Sequence, residues 1–172
     1  MGHVRAFAVT VLALAALGVP AGLAWSLLAP RAPYAVAAGE VVLADPSTQA
    51  LIAADGWYAV ITGGLALACA VVAWNLARDK RLEVLLGLAA GSGIAAFVTQ
   101  WVGTTFTLGA VTVEAAAAGP GVKVVAGALA LTAKGVLVTW PLVAVGLYGT
   151  MEAVVAYRES PLRQTYGEID RL

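Results

Sequence analysis

Residues 57–102, "WYAVITGGLALACAVVAWNLARDKRLEVLLGLAAGSGIAAFVTQWV", decide the architecture. Two apolar runs, 57–77 and 84–102, are separated only by the charged hexapeptide "RDKRLE". Each run is long enough to be read as a membrane-crossing helix, for which about 18 or more apolar residues are needed. The hexapeptide leaves room for little beyond a tight turn, so the runs form an antiparallel helical hairpin. The composition agrees. Of 172 residues, 61% are apolar and only 12% charged, and the mean hydropathy is +0.89. A soluble domain carries about 25% charge, so this chain has too few charges to coat a water-facing surface. Its net charge of zero supplies no global field to draw nucleic acid or anionic substrates.

Working outward, residues 6–28, "AFAVTVLALAALGVPAGLAWSLL", form a further apolar run. A secretory h-region is usually about 7–15 residues long. This run is longer and has no convincing small-x-small cleavage site after it, so it is expected to be an uncleaved first span, bent at Gly18 and Pro20. A fourth run extends from Val124 to Tyr157. A register of 124–146 would place Lys134 near mid-membrane, at about 2.5–3.5 kcal/mol. A register of 135–157 puts Lys134 and Glu152 near opposite faces, where both can snorkel, and is preferred. Pro141 then loosens the first turns of that helix.

The sequence therefore predicts a mainly α membrane protein, a four-helix transmembrane bundle. Arg5, Arg78, Lys80, Arg81, Arg158, Arg163 and Arg171 fall on one side, with Arg31, Lys123 and Lys134 on the other. The positive-inside rule then places both termini in the cytoplasm of a plasma-membrane protein, with residues 158–172 as a cytoplasmic tail. Residues 29–56 and 103–134 are left as outer segments. Within them "TFTLGAVTVE" (105–114) alternates apolar and polar, "AGPGV" (118–122) reads as a turn leading into "VKVVAGALAL" (122–131), and "AGEVVLA" (38–44) suits a short strand. These predict a small extracytoplasmic cap containing a β-hairpin. Asp45-Pro46 reads as the capped start of the second helix. From there to Ala77 the helix would be about 48 Å long at 1.5 Å per residue.

The candidate sites are few. Asp55 stands just outside Trp57 and Tyr58, which read as an aromatic belt, and is expected to be a solvated interfacial charge or the partner of a cap residue. Lys134 and Glu152 are interfacial charges. Gly87, Gly91 and Gly93 are helix-packing positions, since small residues four apart let backbones approach closely. The same stripe is no nucleotide loop, because it lies in an apolar span and lacks a following Lys-Ser or Lys-Thr. Cys69 cannot form an intrachain disulfide, His3 has no metal-spaced partner, and no hydrolase or protease signature is present. No catalytic, cofactor or metal site is expected.

"LIAADGWYAVITGG" (51–64) and "LALTAKGVLVTWPLVAV" (129–145) resemble an uncharacterised family of small four-span actinobacterial membrane proteins, a domain of unknown function. The resemblance implies the same four-span layout with an external segment before the second span. It carries over no binding or catalytic residue. The expected role is a non-enzymatic accessory or scaffold subunit of the cell envelope that meets the lipid bilayer and a protein partner, with self-association through the small-residue faces also open. The alternative is a small oligomeric transporter or channel, with Thr62, Asn75, Thr99 and Gln100 facing a shared lumen.

Overall fold

The computed structural model describes residues 2–37, 40–77, 80–117 and 123–160. The "AGPGV" turn, Arg78 and the polar tail with Arg163 and Arg171 lie outside them, as do the side chains of Glu40, Glu114 and Lys123. Among the described residues, four helices are long and apolar enough to cross a membrane. They are α1 (Gly2–Leu28), α2 (Ala50–Leu76), α3 (Arg81–Ala117) and α4 (Thr139–Arg158), the last preceded by a 3-10 segment, Lys134–Val138. Three short strands, β1 (Pro33–Ala37), β2 (Glu40–Leu43) and β3 (Lys123–Ala126), form an antiparallel sheet in the order β2-β1-β3.

Helices α1 and α3 run parallel and form the closest pair. Gly87, Gly91, Ala95, Thr99, Gly103 and Thr107 recur every four residues along α3, and α1 answers with Thr10, Leu14, Gly18 and Gly22. A Cβ on Gly87 would meet Thr10 at 2.8 Å, one on Gly91 would meet Leu14 and the Val11 backbone at 2.9 Å, and one on Gly18 would meet the Ala95 carbonyl at 2.8 Å. Lipid offers no hydrophobic force between spans, so such close van der Waals contact is what holds them. A hydrogen bond adds to it. Thr99 Oγ1 donates to the Gly18 carbonyl at 3.1 Å, whereas Ser92 donates within its own helix, to Leu88, and adds nothing across the pair.

Helices α2 and α4 run antiparallel to this pair. Tyr58 of α2 donates its hydroxyl to the Ala96 carbonyl at 2.7 Å. Tyr148 of α4 donates to the Arg81 carbonyl at 3.2 Å, and Arg81 also pairs with Glu152 at 2.7 Å. Between them Trp140, Ala144 and Tyr148 pack on Ala66, Ala70, Leu88 and Ala95. Helix α1 continues through Pro20 without a break.

Two expectations from the sequence are corrected. Residues 105–114 are not a strand but the last turns of α3. Two of the threonines that suggested alternation bond back along a helix, Thr107 to the Gly103 carbonyl and Thr112 to that of Gly109, as Thr104 just before them does to that of Gln100. Once a long helix already enters the segment, extending it costs one residue's entropy per bond gained, and β propensity gives way. The sheet is instead built from β1, β2 and β3. The second correction concerns Asp45. It caps no helix, because its Oδ1 accepts the N–H and hydroxyl of Ser47 at 2.9 and 2.7 Å, closing a local turn. Those two bonds hold the Asp45 carboxyl below its ordinary value. Helix α2 therefore begins at Ala50 and is 27 residues long, about 40 Å.

Candidate functional site

The sheet end of the bundle holds the densest set of directed contacts. Trp25 is fully buried near the end of α1. Its Nε1 donates to the Ala54 carbonyl of α2 at 2.8 Å, and its ring meets Tyr58 edge-on with centroids 5.3 Å apart. The opposite neighbour is Gly103 of α3, where a Cβ would fall 2.3 Å from the indole. One side chain thus joins three helices, and Gly103 is glycine because the ring occupies the space.

Asp55 follows directly on Ala54, and of its two expected roles, a solvated charge or the partner of a cap residue, the structure shows the second. Asp55 is 7% exposed. Its two oxygens accept the backbone N–H groups of Thr132 and Ala133 at 3.0 and 2.8 Å. Tyr58, read as part of an aromatic belt, is likewise fully buried, whereas Trp57 is exposed. The segment clasped by Asp55 is fixed again at Thr107, whose hydroxyl accepts the N–H of Leu129 at 3.1 Å. Leu129 and Leu131 then pack under Trp25, Ala29 and Ala54. Gly127 continues the tie toward the sheet: its N–H donates to the Ala32 carbonyl, and the Tyr34 ring lies 2.5 Å from where its Cβ would be.

The sheet that this clasp supports has two unlike faces. Tyr34 pairs across to Leu43 and Val125, and this row turns inward, with Val125 buried. Ala35 pairs across to Val42 and Val124, and this row turns outward, with Val42 53% and Val124 67% exposed. Strands β2 and β3 are both edges.

The other sequence-derived candidates scatter. Gly87 and Gly91 lie against α1, but no atom comes within 4 Å of a Cβ on Gly93. Gly93 therefore does not pack against another helix of this chain. Lys134 is exposed at the start of the 3-10 segment, and Glu152 is spent on Arg81. Thr62 and Thr99 are fully buried with their hydroxyls donated to the carbonyls of Tyr58 and Gly18, and Asn75 bonds back to Val71 of its own helix. Among the described residues no group of acids, histidines and cysteines gathers at metal-binding distance. Sequence reasoning passed over Trp25 and Thr107. The available signal was position: Thr107 continues the four-residue stripe of α3, and Trp25 follows Gly22 on the matching face of α1.

No protein-family model, curated protein or solved structure matches this chain.

The Trp25 contact can be tested alone. Phenylalanine at this position keeps the ring stack and loses the bond to Ala54. Interhelical bonds in lipid average about 0.6 kcal/mol and reach about 1.7 kcal/mol. W25F is expected to be destabilised by ~1 kcal/mol in denaturant unfolding in mixed micelles.

Proposed function

We propose that this chain is a non-enzymatic membrane protein of the cell envelope whose four helices act as an anchor and whose sheet end docks a protein partner. The observation that carries this reading is the outward row Val42–Ala35–Val124, an apolar strip exposed between two strand edges. An extended segment of another protein can add to such an edge through main-chain hydrogen bonds and take specificity from the side chains beside it. Rigidity supports this reading: Asp55, Thr107 and Trp25 fix the sheet's supports to three helices, so little ordering entropy remains to oppose docking. The hydroxyls of Thr62 and Thr99 are already used within the chain, which fits an anchor better than a lumen. By the positive-inside rule the termini are cytoplasmic in this proposal and the sheet end faces outward.

A photo-crosslinking residue at Val124, in native membranes, is expected to give a discrete protein adduct that disappears with V42D in the same chain. The same residue at Ile94, exposed on the span, is expected to give lipid adducts only. Identical adducts from both positions, or ion flux through the purified chain in proteoliposomes, would refute the docking role.

A further inference from the structure

At the opposite end of the bundle, a cleft of about 540 Å³ opens between the start of α1, the end of α2 and the approach to α3. Its size falls in the usual range for ligand sites, about 300–1,000 Å³. Its walls are apolar, formed by Val9 of α1, Ala73 and Leu76 of α2, and Val84 of α3, and its rim carries Arg5 and Lys80. Lys80 reaches across the mouth, for a Cβ on Gly2 would lie 3.1 Å from its Nζ. This sets an ammonium beside the first turn of α1, where the helix dipole is already positive.

No described acid neutralises the pair. Glu83 binds His3 at 2.6 Å and acts on Lys80 only electrostatically, without a direct ion pair. Glu152 is bonded to Arg81, and Glu159 also acts on Arg81. Thr10 turns its hydroxyl back to the Ala6 carbonyl. The cleft therefore joins, at its rim, two cations that no described acid pairs with directly to an apolar trough running along the spans. A free inorganic anion would use the rim and leave the trough bare. A zwitterionic lipid would bring a cation of its own against Arg5 and Lys80.

We infer that this cleft holds one anionic phospholipid, its phosphate between Arg5 and Lys80 and an acyl chain along Val9, Ala73 and Leu76. The inference is independent of the partner-docking role at the sheet end. The test is native mass spectrometry of the full chain released from micelles containing dioleoylphosphatidylglycerol or dioleoylphosphatidylcholine. Retention of the anionic lipid is expected to exceed that of the zwitterionic one. Each of R5Q and K80Q is expected to lower the preference about fivefold, and the pair roughly 25-fold. The R5K and K80R exchanges, which keep the charge and report on folding, are expected to retain it. V9W fills the trough without touching charge and is expected to weaken retention of the anionic lipid. R158Q, which removes an exposed cation outside the cleft, is expected to change nothing. A loss in R158Q equal to that in R5Q would mean surface charge alone. Unchanged binding in V9W, or displacement of the lipid by an equal concentration of glycerol phosphate, would overturn the site.

Discussion

A Gly22→Val chain is expected to lose ~3 kcal/mol or more of stability, whereas Gly93→Ala in α3 costs nothing. Both are glycines within apolar spans, and composition does not separate them. The difference is what each faces. A Cβ at residue 22 would stand 2.7 Å from the Thr99 carbonyl oxygen and 2.8 Å from the Val102 Cβ. The first of these is backbone in mid-helix and cannot turn aside, so α1 and α3 must move apart. Overpacking alone costs about 1–3 kcal/mol. Separation adds the bond from Thr99 to Gly18, one turn away, and the contacts at Gly18 and Gly91 that share the ridge. At residue 93 nothing is within 4 Å, and alanine gains about 0.5–1 kcal/mol of backbone entropy over glycine. Denaturant unfolding in mixed micelles should therefore order the chains as G93A at or above the natural protein and G22V far below it, with G91V close to G22V. Equal stability of G22V and G93A would mean that α1 and α3 do not meet along this stripe.

The same residues show how far the sequence carries. Four spans are legible because hydropathy is a property of whole runs, and a run of 20 apolar residues has few alternatives. The stripe from Gly87 is legible as a packing face, since spacing by four is a helix-surface regularity. Which glycine belongs to it is less so: Gly93 is adjacent in sequence but lies off the row. The end of α3 is misread because Thr-Phe-Thr-Leu has strand periodicity, and only the helix arriving from before it tips the balance. The sheet is partly legible: β2 falls in the expected 38–44 and β3 in the expected 122–131, but nothing local marks β1 as the strand that joins them. Asp55 is the clearest case. Beside Trp57 it reads equally as a charge at the membrane surface or as the partner of a cap residue, and the two N–H groups that decide for the second are 77 and 78 residues further along the chain.

That distance gives the second large effect. Asp55→Ala is expected to destabilise the protein by ~3 kcal/mol and to release the segment 127–133. The carboxylate accepts two backbone donors, bonds to a charged acceptor contribute about 1.5–3 kcal/mol each, and part of that returns when water reaches the freed N–H groups. Thr132 and Ala133 are exposed, so water can reach them. Leu129 and Leu131 are buried, so the net cost lies in the packing that their segment loses. Asn at this position keeps one acceptor but turns an amide donor toward the second N–H. D55N should therefore fall between the natural chain and D55A, with Thr132 or Ala133 still protected. Amide hydrogen exchange reads this directly: in D55A both amides are expected to exchange at least 10-fold faster, together with Leu129. Because β3 leads into this segment through Gly127, the crosslink from Val124 should weaken in D55A while the Trp25–Tyr58 stack persists. Unchanged exchange at Thr132 and Ala133 would show that Asp55 does not clasp this segment, and the outer strip would then lack the rigid support that its docking role requires.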